Sequence, residues 1–120
     1  MSEATFLPVY FDRLDAGEDV VSMLAPDFTF SLLWATEEGA QEFAGSFEAF
    51  HGYLAQRDPD GQLHHISKSL RDGRTEVASG WTTRYGEPLG SFTFAVELDQ
   101  DERVRRLFAA RTEAFDGVPF

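Results

Sequence analysis

Four stretches of strand-like residues fill the chain beyond residue 61, separated by short turn signals. They run Leu63 to Leu70, Arg74 to Tyr85, Leu89 to Leu98 and Val104 to Phe115. The clearest alternation is Phe92, Phe94, Val96 and Leu98, which a strand places on one face. The breaks are Asp72-Gly73, Gly86-Glu87-Pro88 and Asp99 to Glu102. Connections this short leave no room for a crossover, so neighbouring strands must run antiparallel. A meander of this kind needs something apolar on its buried face, and the first half of the chain supplies it.

From Thr5 to Asp15 the apolar residues Phe6, Leu7, Tyr10, Phe11 and Leu14 recur at helical spacing. Thr5 is the expected N-cap, Pro8 fits the first turn, and Gly17 is the expected stop. A short second helix is expected over Asp19 to Leu24, ended by Pro26. Phe28, Phe30, Leu32 and Trp34 alternate as a strand. The acidic segment Thr36 to Ala44 reads as a loop. A third helix is expected over Ser46 to Arg57, with Phe47, Phe50 and Leu54 on one side, and Asp58-Pro59-Asp60-Gly61 ends it in a turn. The expectation is one α+β domain covering all 120 residues. Three helices from the N-terminal half pack on a strongly curved, mixed but mostly antiparallel sheet that encloses a pocket.

Charge and composition exclude several functions. Ten Lys plus Arg face 21 Asp plus Glu, for a net charge of −11. A nucleic-acid binder needs a basic face, so neither nucleic acid nor an anionic membrane surface is an expected partner. The chain has no Cys, which removes disulfides, thiolate nucleophiles and Cys-type zinc sites. Glu48 and His51 have the i, i+3 spacing of one half of a di-iron motif, but the other half is lacking. No metal and no cofactor are expected. The start Met1-Ser2-Glu3 has neither a basic region nor a long apolar run, and the expected location is cytoplasmic.

Polar residues on otherwise apolar strands mark the candidate ligand site. Arg111 shares a strand face with Leu107 and Ala109, and Arg84 shares one with Thr82, Gly80 and Ala78. A buried Arg must be paired, either with an internal acid such as Glu113 or with a ligand carboxylate. Two small residues beside Arg84 leave room for a ligand or for helix packing. Trp81 lies on the opposite face of the Arg84 strand. His64 and His65 point to opposite faces, so one should face inward and could move protons near neutral pH. His65 is the favoured one. Trp34 and Phe94 are core aromatics that could double as pocket wall. These residues, with Trp81, complete the ligand-binding candidates.

The order of elements resembles the nuclear transport factor 2-like superfamily, in its ketosteroid isomerase and SnoaL-like polyketide cyclase branch. The resemblance rests on the run from Tyr10 to Asp19, on Met23-Leu24-Ala25-Pro26-Asp27-Phe28, on Gly45, and on Leu98 to Val104. It implies a cone-shaped fold with a small-molecule ligand, and a homodimer. It gives Tyr10 the role of hydrogen-bond donor to a ligand oxygen, where the alternative is a core aromatic. It also places the isomerase's carboxylate base at Leu32 and its second acid at Phe94 or Ala95. Both acids are therefore missing. The expected function is binding of a small hydrophobic or aromatic molecule, anionic or not, by an isomerase, cyclase or lyase type of protein. A non-catalytic dimerisation or accessory module is the alternative.

Overall fold

The structure, a computed structural model, describes residues 1–113. It contains two α-helices, α1 (Phe6–Asp15) and α2 (Phe47–Gln56). Six strands make one open sheet: β1 (Leu24–Thr36), β2 (Gly39–Ser46), β3 (Gln62–Asp72), β4 (Thr75–Arg84), β5 (Glu87–Leu98) and β6 (Val104–Thr112). Their order is β2-β1-β6-β5-β4-β3. The β3-β4-β5-β6 meander is antiparallel throughout, and β1 joins β6 in parallel. None of the helices is long and apolar enough to cross a membrane. The expectation that the last strand reaches Phe115 falls partly outside the described residues.

Both helices cover the same face of the sheet. Phe50 of α2 packs on Phe28 and Phe30 of β1, at 5.1 and 4.9 Å between ring centres. Phe11 of α1 packs on Phe92 and Phe94 of β5, at 5.1 and 4.9 Å. These two aromatic clusters are the core. The opposite face has no helix across it and leaves Leu33 and Phe108 exposed.

Three expectations need correction. The second helix is only a 3-10 turn, Val21–Met23, started by Asp19, whose carboxylate accepts from the Val21 N–H at 2.8 Å. Leu24 then pairs with Val104, so β1 starts earlier than the alternation from Phe28 shows. The acidic segment read as a loop is strand β2, antiparallel to β1 across a turn at Glu37-Glu38. It lies at the sheet edge with most residues exposed, so it has no apolar alternation to reveal it. Backbone pairing and one aromatic hold it: Phe43 packs 5.3 Å from Phe30 and 6.2 Å from Tyr53. Thr5, the expected N-cap, makes no side-chain cap. A carboxylate from the sheet does this work instead. Buried Glu76 of β4 accepts from the N–H groups of Thr5, Phe6 and Leu7 at 2.9–3.1 Å. At the other end of α1, Gly17 adopts φ +71°, and Glu18 N–H closes onto Arg13 O at 2.9 Å, as a Schellman turn requires.

Candidate functional site

The end of α1, the start of β3 and the end of α2 converge on the helix-covered side of the sheet. Asp15 closes the buried stripe of α1, four residues beyond Phe11 and one beyond Leu14. On β3 the alternation Gln62, His64, Ile66 faces the helices. His64 Nδ1 lies 2.6 Å from Asp15 Oδ1, and the His64 N–H donates to Oδ2 of the same carboxylate at 2.7 Å. Both side chains are nearly closed off, at 4% and 9% exposure. The imidazole stacks on Phe11 at 4.8 Å and meets Phe92 edge-on at 5.3 Å.

Burial lowers the His64 pKa below its ordinary value. The hydrogen bond and charge of Asp15 oppose that shift, while Arg57 and Arg111 add to it. The ring is therefore neutral at pH 7. A neutral imidazole beside a carboxylate carries its proton on Nδ1, which leaves the Nε2 lone pair as a proton acceptor. Among the described residues nothing hydrogen-bonds to Nε2.

Arg57 is the C-cap of α2, where the backbone has already turned extended, at ψ 137°. It donates to the Leu14 carbonyl at 3.3 Å and to Gln62 Oε1 at 3.2 Å. Among the described residues no carboxylate lies within ion-pair distance of it. Burial pulls its pKa down, with Tyr53, Asp15 and Tyr10 acting the other way. Arg57 also orients Gln62. With Oε1 held by the guanidinium, the Gln62 amide nitrogen is buried and has no partner among the described residues. Arg111 stands opposite Trp34 and Phe92 in the sheet register. Its one ion pair among the described residues is a long one, 3.9 Å, to Glu113, which is itself 44% exposed. The site thus gathers two guanidinium groups against one buried carboxylate, in a protein whose net charge is −11.

Tyr10 is buried against Phe6, Phe11 and Phe94, and among the described residues its hydroxyl makes no hydrogen bond. Burial raises its pKa first, the neighbouring Tyr53 adds to the rise, and Arg57 opposes it. Tyr10 is thus a neutral donor on the same side as Arg57 and His64.

The remaining candidates divide. Thr82 is buried opposite His64, and its hydroxyl donates to the Gly90 carbonyl at 3.4 Å. Phe94 is core, wedged among Tyr10, Phe11, Phe92 and His64. Trp34 is half-buried beside Arg111. Three placements need correction. His65, the favoured inward histidine, lies on the uncovered face, stacked on Trp81 at 5.0 Å and bonded to Thr83 Oγ1 at 2.8 Å. Trp81 goes to that face with it. Arg84 reaches the turn after α2, where it bonds the Asp58 carbonyl at 3.2 Å and pairs with the Asp58 carboxylate at 3.7 Å. The room beside it is also filled: a side chain at Gly80 would run into the His65 backbone. The functional residues missed in the sequence are Asp15, Arg57 and Gln62. Asp15 could have been found, because it extends the buried stripe of α1, whereas Arg57 lies just past the helical residues of α2.

No family model matches the chain, and no curated protein matches it either. Solved structures do. A candidate ketosteroid isomerase from Kribbella flavida superposes with a TM-score of 0.67 at 20% identity, covering 96% of this chain and 81% of that one. IdmH, a candidate polyketide cyclase from Streptomyces antibioticus, gives 0.66 at 11% identity, over 88% of each chain. An NTF2-like protein of unknown function from Cytophaga hutchinsonii gives 0.57 at 12%, over 87% and 84%. The fold is the nuclear transport factor 2-like cone. Where the resemblance places isomerase carboxylates, the chain carries buried Leu32 and, for the second, buried Phe94 or partly buried Ala95. The buried carboxylate–imidazole contact, Asp15 with His64, joins α1 and β3 instead.

Proposed function

We propose that the cone binds a small, flat, anionic molecule and moves a proton on it. The supporting observation is the buried Asp15–His64 pair at 2.6 Å, which leaves a free Nε2 lone pair within the field of Arg57 and Arg111. His64 takes a proton from a carbon next to a carbonyl. The C–H bond breaks, an N–H bond forms, and the electron pair moves onto the carbonyl oxygen as an enolate. The guanidinium groups and the Tyr10 hydroxyl stabilise that oxyanion. Return of the proton to another carbon is an isomerisation. Its delivery to a departing hydroxyl is a dehydration. Both fit the isomerase or cyclase names carried by the structural neighbours.

The test is the exchange of carbon-bound hydrogen for deuterium in small aryl keto acids, followed by NMR. Wild type should exchange one position, and Asp15→Asn should slow that exchange by roughly 10²-fold or more. In the variant the side-chain oxygen still accepts from the His64 N–H, but the amide donates to Nδ1. The proton is then held on Nε2, which can no longer accept one. Equal exchange rates in both proteins would rule out His64 as the base. Stability against pH gives a companion readout. Because the folded-state pKa of His64 is depressed, its contribution is present above pH about 6.5 and is lost as pH falls through the folded value. Thermal unfolding should show that loss in wild type and not in His64→Gln.

The uncovered sheet face supports a second proposal, association of two copies through it. Exposed Leu33 and Phe108 and partly buried Trp81 lie on that face, and no helix among the described residues covers them. Light scattering should give twice the chain mass, and Phe108→Glu should return the monomer. A monomeric wild type would end the proposal.

A further inference from the structure

Between α2 and the β1–β2 hairpin runs a groove of about 480 Å³. Three aromatic residues line it: Trp34 of β1, Phe43 of β2 and Tyr53 of α2. Glu48, Ala49, Gly52 and Gln56 complete the α2 side, and no Lys or Arg lines it. Two of its lining residues neighbour residues of the site already described. Trp34 stands opposite Arg111 across the β1–β6 pairing, and Tyr53 interacts with both Tyr10 and Arg57.

Gly52 is the informative residue. It sits inside α2, where glycine destabilises a helix by about 0.5–1 kcal/mol relative to alanine. Packing does not call for it, since a Cβ there would meet nothing within 4 Å. Backbone geometry does not call for it either, because its φ is not in the left-handed range. What glycine does at this position is keep the groove open. A longer side chain on a helix leans back over the preceding turn, which here is Glu48 and Ala49, the wall of the groove.

From this we infer that the groove is a second subsite of the same ligand site and holds a flat, uncharged aromatic ring system, while the ligand's anionic end lies at Arg57 and Arg111. The ligand class is an elongated aryl carboxylic acid, longer than a single small keto acid. Ring stacking on Trp34 and Tyr53 provides affinity for the body. The lack of a cation in the groove keeps a second anionic group out. This assignment rests on the proposed interior site for its anionic end, but not for its aromatic end.

The experiment is an NMR titration that follows the Trp34 indole N–H. Three probes are used: 2-naphthylacetate, acetoacetate and the uncharged 2-naphthol. The protein is used as wild type, Gly52→Ala and Gly52→Leu. Both substitutions raise helix propensity, so a loss seen only with leucine is not unfolding. In wild type, 2-naphthylacetate should bind at least about tenfold tighter than acetoacetate and shift the Trp34 signal. Gly52→Ala should keep that advantage and Gly52→Leu should erase it, with acetoacetate binding unchanged. If Gly52→Leu leaves 2-naphthylacetate affinity intact, the groove is not a subsite, while the interior reading stands. If 2-naphthol shifts Trp34 but neither acid binds, the groove holds rings and the interior anion site is wrong. If no probe binds, both assignments fall.

Discussion

A Glu76→Ala variant should unfold roughly 10–25 °C below wild type, a loss of about 3–5 kcal/mol. Glu76 has no exposed surface. Its two carboxylate oxygens accept from the first N–H groups of α1, and one of them also takes Arg71 Nη1 at 3.1 Å. Removing the side chain leaves three backbone donors without their acceptor, the Leu7 N–H of them buried, and a guanidinium without one of its partners. Orphaned donors at a helix N-terminus lose their capping bonds and the favourable interaction with the helix dipole. Arg71 retains Glu102 at 2.8 Å, so the damage concentrates on α1. Glu76→Gln keeps one acceptor oxygen and should lose about half as much. Calorimetry and urea unfolding measure both variants. A loss under about 1 kcal/mol for the alanine would show that the carboxylate is not what holds α1 on the sheet. The consequence reaches the site, because α1 carries Tyr10 and Asp15.

Gly80→Ala should lower stability by about 3 kcal/mol or more. Gly80 pairs with Ile66 just before the irregularity in the β3–β4 register. At this bulge the β3 backbone comes so close that a methyl group would overlap the His65 carbonyl. The obstacle is main chain, so no rotamer change relieves it. The strands must separate or shift, and His64 sits on the shifted strand. The variant should therefore lose the Asp15–His64 contact as well as stability, seen as a changed His64 titration by NMR. Gly73→Ala is the control. Its added methyl meets nothing within 4 Å, so the strain of its φ of +62° is its main penalty, about 1 kcal/mol. Equal losses at the two positions would refute the close-approach argument.

The choice between the two histidines shows why strand facing was hard to read. By strand alternation Leu63 and His65 share one face, and Gln62 and His64 the other. The irregularity between Ile66 and Lys68 breaks the phase, so Leu70 cannot be used to settle which face His65 occupies. Leu63 is in fact half exposed and Gln62 is buried. A buried glutamine beside an exposed leucine makes sense only once the turn after α2 folds back and brings Arg57, five residues earlier, onto the Gln62 side chain. Strand β2 was missed for a related reason. An edge strand needs only backbone partners, and those leave no mark on side-chain polarity.

What the residues alone established was local: helix α1 and its glycine stop, helix α2, the turn-punctuated meander, and the aromatic stripes that form the core. Periodicity and turn chemistry act over a few residues, so they can be read along the chain. Tertiary structure decided the rest, including the parallel seam between β1 and β6, the capping of α1 by Glu76, and the meeting of Asp15 with His64. Each of these joins residues 49 or more positions apart. Pairing at that distance depends on how the sheet bends and where the helices lie on it, and no short stretch of sequence encodes that.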